Sequence, residues 1–95
     1  MPSNYSMKQN YPNPFNPTTT FNYELAQPGR VSLVIYDILG QEVKRLVDNS
    51  NDPGYYSVTW DATSASSGLY YARIIITAAN GDEVYRDTKK VLLMK

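Results

Sequence analysis

Pro12, Pro14 and Pro17, in the run Gln9-Asn-Tyr-Pro-Asn-Pro-Phe-Asn-Pro17, decide what the start of this chain can be. Each ring fixes its own φ and pushes the residue before it (Tyr11, Asn13, Asn16) toward extended geometry, so no helix forms across them. The asparagines can bond their own backbone and hold turns, which makes the loop stiff without regular ladders. Directly after Pro17 the pattern becomes strict alternation, with Phe21, Tyr23 and Leu25 on one face and Thr20, Asn22 and Glu24 on the other. That period predicts a half-buried strand. A stiff loop feeding a full strand marks the start of a small β domain. Before it, Ser3–Lys8 reads as linker or as a short edge strand through Tyr5 and Met7, and Met1-Pro2-Ser3 as an expression start ahead of an excised module. Residues 1–9 are therefore set apart from a domain at 10–95.

The remaining strands follow from turn chemistry. Gln27-Pro28-Gly29 is a tight turn in which Pro sets φ and Gly tolerates a positive one. Arg30–Tyr36 is apolar on both faces through Val34 and Tyr36, which suits a strand covered on both sides. Asp37–Gly40 is a turn, and Gln41–Val47 a third strand. Asp48–Gly54 (DNSNDPG) carries the strongest loop signal in the chain. Tyr55–Trp60 places Tyr56, Val58 and Trp60 on one face. Leu69–Ala78, with consecutive Ile74, Ile75 and Ile76, predicts a central strand. Asn80-Gly81 signals a hairpin because both residues accept positive φ, and Glu83–Met94 is the returning strand, bulged near Asp87–Lys89. Six to seven strands at this spacing predict an all-β fold, an immunoglobulin-like antiparallel β-sandwich, with a barrel as the alternative.

Composition removes several functions. The 95 residues make one domain, and 42% apolar content with nine tyrosines suits a globular β protein. There is no cysteine and no histidine, so disulfides, cysteine metal sites and the usual general base are absent. Net charge is zero, which gives the whole chain no electrostatic reason to bind nucleic acid or an anionic membrane. No window is apolar enough to insert into a bilayer, and the N-terminus lacks the pattern of a signal peptide. No cofactor or metal is expected. Asp48, Asn49, Asn51 and Asp52 offer oxygen ligands, but without EF-hand spacing; they are read as a solvated hairpin loop, with calcium kept open. The tyrosines are read as core and rim residues, with an exposed sugar-stacking platform as the alternative. Ser64, Ser66 and Ser67 have no histidine to activate them, and Asp37 and Asp61 sit where acids cap turns. No enzyme is expected.

The last stretch, Thr88-Lys-Lys-Val-Leu-Leu-Met-Lys95, sets a basic pair before four apolar residues and a final lysine. As structure, it is a last strand whose lysines discourage edge-to-edge association. As function, it is something a partner can grip, by adding a strand or by reading the lysines.

Four segments together, Asn10–Thr19 (NYPNPFNPTT), Val31–Val43 (VSLVIYDILGQEV), Trp60–Ile74 (WDATSASSGLYYARI) and Thr88–Lys95 (TKKVLLMK), resemble the type A C-terminal sorting domain of the type IX secretion system. That domain is itself similar to flagellar-hook-cap immunoglobulin-like domains. The resemblance runs from about Gln9 to Lys95, with one departure at Gln41, where a basic residue usually stands. It implies a non-catalytic module at the end of a larger exported protein. Such a protein passes through the periplasm, and an outer-membrane secretion translocon recognises its folded tail. A sortase-like peptidase cuts upstream, near or before Ser3–Gln9, leaving the cargo secreted or at the cell surface. The implied recognition residues are Lys89, Lys90, Val91, Leu92, Leu93 and Lys95. The implied fold-signature loop is Asn13, Pro14, Phe15, Asn16 and Pro17. The alternatives are a carbohydrate-binding β-sandwich of a polysaccharide-degrading enzyme, or a passive immunoglobulin-like spacer.

Overall fold

The computed structural model describes residues 2–95. Seven strands follow in order: β1 (Ser6–Met7), β2 (Thr18–Leu25), β3 (Gly29–Tyr36), β4 (Glu42–Asn51), β5 (Gly54–Asp61), β6 (Gly68–Ala78) and β7 (Glu83–Leu93). They form a three-stranded sheet, β1-β2-β5, and a four-stranded sheet, β4-β3-β6-β7. Every strand pair is antiparallel. This is the predicted immunoglobulin-like sandwich. No described helix is long and apolar enough to cross a membrane.

Alternation decides what lies between the sheets. One sheet contributes Phe21, Tyr23, Leu25 and Trp60, and the other Val31, Leu33, Ile35, Ala72, Ile74, Ile76, Val91 and Leu93, all buried. Trp60 does face inward with the half-buried Tyr56 and Val58. The isoleucine run of β6 lies in a central strand. The outer face of β3 is covered as its composition predicts. Val34 is 2% exposed, opposite Arg45 on one neighbour and Arg73 on the other.

The structure corrects several local expectations. Asp48–Asn51 is not loop: it continues β4, with Asp48, Asn49, Ser50 and Asn51 opposite Ser32, Val31, Arg30 and Gly29. The whole length of β3 offers backbone partners, and that pairing overrides weak local strand preference. The connection to β5 shrinks to Asp52-Pro53. The β7 bulge is not at Asp87–Lys89. Tyr85 faces Ile76 and Glu83 faces Thr77, which leaves Val84 as the extra residue beside the hairpin turn.

Residues 6–7 of the leading segment are strand rather than linker, pairing with Glu24 and Tyr23. The Asn80-Gly81 hairpin is real, but its loop has three residues. Gly81 N donates to Ala78 O, Ala78 N donates to Asp82 O, and only Gly81 takes a positive φ, at 93°. Asp37–Gln41 repeats this pattern, with Gly40 at 82°, as three-residue hairpins ending in a glycine bulge do.

Gly29 is required for a reason other than a positive φ. A Cβ there would stand 2.8 Å from Thr77 O, where the neighbour is backbone and cannot swing away. Gly29→Ala is therefore expected to cost about 1–3 kcal/mol in denaturant melts through overpacking; an unchanged midpoint would show that β3 and β6 separate freely there.

Burial also sets an alkaline limit. Tyr23 stacks on Tyr56 with centroids 5.4 Å apart; burial first, and then Tyr56, holds its hydroxyl above the usual value of 10.0. Burial likewise raises Tyr85, assisted by Asp87 against the hydrogen bond to Met7. In each case the folded state keeps a proton that the unfolded chain releases, so stability is fully present below pH 10.0 and lost above it. Tyr23→Phe should move the alkaline unfolding midpoint to higher pH, read by far-ultraviolet circular dichroism.

Candidate functional site

The site begins with the position of β7 at the edge of its sheet. Its alternation divides the last residues by face. Val91 and Leu93 point inward and are 0% and 1% exposed, while Leu92 and Met94 are 37% and 56% exposed. Lys90 is exposed and Lys89 half-buried. Lys89 lies on the inward side, where its Nζ meets Asp87 Oδ2 at 3.2 Å and Tyr85 donates to the same carboxylate. An inward-pointing charge on an edge strand discourages pairing with another chain. Lys95 Nζ donates to Thr63 O at 2.6 Å and its N–H to Ser67 Oγ at 3.0 Å.

The proline-rich loop lies along the outer edge of this strand. Asn13 behaves there like a short piece of backbone: its Oδ1 accepts from Leu92 N at 3.0 Å and its Nδ2 donates to Lys90 O at 3.3 Å. Gln9 Nε2 donates to the same carbonyl at 2.8 Å. Phe15 N donates to Leu92 O and Met94 N to Phe15 O, which makes a parallel bridge between Phe15 and Leu93. Phe15 itself is 2% exposed and packs 5.4 Å from Trp60. Pro17 O accepts from Ala62 N, whereas Pro14 and Asn16 are exposed.

Behind the loop, Asn10 and Thr19 are buried polar residues that sequence reading did not single out. Asn10 Nδ2 donates to Thr19 Oγ1 at 2.8 Å and to Pro12 O at 3.1 Å, and Thr19 Oγ1 donates to Pro12 O at 2.8 Å. A closed polar set of this kind fixes the loop, because any member left unpaired would carry its full desolvation cost. Nothing in local composition marks these two among the many asparagines and threonines.

The other candidate features are placed as follows. Asp37 Oδ1 accepts from Leu39 N and Gln41 N, and Asp61 Oδ1 accepts from Thr63 N. The Thr63 hydroxyl, which also donates to Asp61 Oδ1, and then the Thr63 N–H hold the Asp61 carboxyl below its usual range. Both acids therefore cap turns. Asp48, in a strand rather than a loop, pairs with Arg30 at 2.6 Å. Among the described residues no group of three or more acidic side chains is placed to hold a metal ion. Ser67 accepts from the Lys95 backbone and the Ser66 carbonyl accepts from Tyr70. Of the tyrosines, Tyr11 and Tyr55 are the exposed ones. The stacked pairs, Tyr5 with Tyr85 and Tyr23 with Tyr56, cover each other's faces.

The site therefore consists of a strand whose inner side chains are core, whose edge is covered by the loop from Gln9 to Phe15, and whose outward side chains are open. A family model described as a secretion system C-terminal sorting domain matches residues 9–92 of this chain. No curated protein matches it.

Proposed function

This chain belongs to the family of secretion system C-terminal sorting domains, the tails of type IX secretion, and from that premise we propose that it is a non-catalytic module read by an outer-membrane translocon. The upstream cargo travels through the periplasm in the same chain. A sortase-like peptidase separates it by cutting near or before residues 3–9, and the cargo ends at the cell surface or in the medium. The family match over most of the chain carries this reading. The geometry supports a division of labour among the recognition residues. Lys90 and Leu92 present side chains to a partner, Val91 and Leu93 hold the strand in place, Lys89 balances Asp87, and Lys95 ties the end of the strand to Thr63. The loop Asn13–Pro17 serves as a fold signature that closes the edge of β7.

The test fuses the whole chain behind a signal-peptide-bearing reporter in a bacterium with a type IX system. Export there, with periplasmic retention in an otherwise identical strain lacking the translocon, is the expected result. Retention in both strains would sink the sorting reading, and binding of the purified chain to a polysaccharide gel would then favour the carbohydrate-binding alternative.

A further inference from the structure

How a partner can meet β7 is restricted by what the fold already occupies. Val91 and Leu93 are inside. The backbone edge from Lys90 to Met94 is engaged by Gln9, Asn13 and Phe15, so strand addition there would first have to displace the loop. What stays open is the outer face of the four-stranded sheet. Its cross-strand rows place Tyr36 beside Tyr71 and Tyr71 beside Lys90, with Val34, Arg73 and Thr88 in the next row. A shallow groove runs between Tyr36, Ile38, Tyr71, Arg73 and Thr88, with Asp37 at its turn end. Ile38 is 70% exposed at that end.

The cations on this face are not equivalent. Arg45 is paired with Glu42 and Asp48, and Arg86 with Glu83. Among the described residues, Arg73 and Lys90 form no ion pair. Asp37 directs Oδ1 to the backbone of its own turn. Arg73 is also held in place: its Nη2 donates to Tyr36 Oη at 2.8 Å and its guanidinium carbon lies 4.6 Å from that ring's centroid. A planar guanidinium fixed in this way, with other N–H groups uncommitted, is arranged to receive a carboxylate at little further entropic cost. The chain is neutral overall, so two cations without an ion pair, beside half-buried tyrosine rings and the exposed Ile38, form a local feature rather than a reflection of net charge.

We propose that this groove together with Lys90, which flanks it beside Tyr71, docks an acidic loop of a protein of the secretion machinery, with Arg73 and Lys90 as the charged contacts and Tyr71 and Ile38 as the apolar ones. The inference rests on the sorting reading and adds to it the face used and the chemistry of the partner. Complementary charge of this kind sets orientation and encounter rate.

The same reporter fusion tests it, with Arg73→Glu and Lys90→Glu combined, and Lys44→Glu as a reversal away from the groove, on β4 opposite the inward-facing Ile35. Arg73→Gln with Lys90→Gln serves if the reversed pair fails to fold, as judged by thermal melts of the purified chains. The expected result is a fall in export of about tenfold or more for the folded Arg73/Lys90 variant, with export unchanged for Lys44→Glu. Unchanged export of the folded Arg73/Lys90 variant, with the parent exported, would overturn the docking face and leave the sorting reading standing. Failure of the parent to be exported would remove both. Intact export together with lost binding to immobilised lipopolysaccharide would assign the face to an anionic glycan and overturn the protein partner.

Discussion

Trp60→Ala is expected to destabilise the domain by about 3–5 kcal/mol, the range for truncating a large buried aromatic side chain. Against a total stability of about 5–15 kcal/mol for a single domain, that is a large share. Trp60 is 3% exposed and stands between Phe15 and Tyr70, each 5.4 Å away by ring centroid, the second at an edge-on angle of 78°. It therefore joins the proline-rich loop to the sandwich as well as filling the core. Two effects should appear together: a lower denaturant midpoint, and faster amide exchange at Phe15 and Met94, whose N–H groups pair across the loop and β7. A loss below about 1 kcal/mol would mean that the ring is not packed as described.

Ending the chain at Thr88 should have a still larger effect, abolishing cooperative folding. It deletes Val91 and Leu93, which are 0% and 1% exposed; a buried aliphatic side chain of this size costs about 2–5 kcal/mol when truncated to alanine. It also removes the backbone partners of Phe15 and the Asn13 contacts. The expected observation is a denaturant titration without a sigmoidal transition. A cooperative melt in the shortened chain would show that the first part of β6, from Gly68 to Ala72, can serve as an edge. Loss of export on this truncation could therefore not be assigned to a lost signal, whereas substitutions at Lys90 and Arg73 alter an outward face and leave the core in place.

Much of this architecture is written in periodicity. Phe21, Tyr23 and Leu25 fix the inner face of β2, the isoleucine run places β6 inside its sheet, and Asp37 and Asp61 cap turns as short acids beside strands do. The same period of two also separates Leu92 and Met94 from Val91 and Leu93, a division that a reading of the last strand as one continuous motif passes over. Other features are not local. Asp48–Asn51 has turn-forming residues and becomes strand because β3 lies beside it. Gly29 is constrained by the Thr77 carbonyl, which is distant in sequence. The loop's role depends on Asn13 meeting Leu92, 79 residues away, and Arg73 gains its orientation from Tyr36, 37 residues before it. Such long-range pairings leave no trace in a window of neighbouring residues.

The bridge between Phe15 and Leu93 also bears on when the fold can exist. During synthesis the loop and β2 leave the ribosome before β7 and must wait for it, because contacts of such long separation close late and slowly. Until Leu93 has emerged, the inner face lacks two of its side chains and the loop has nothing to lie against. The closed edge of β7 is thus a report that Leu93 has been made and packed. A polypeptide broken off before β7 never displays it.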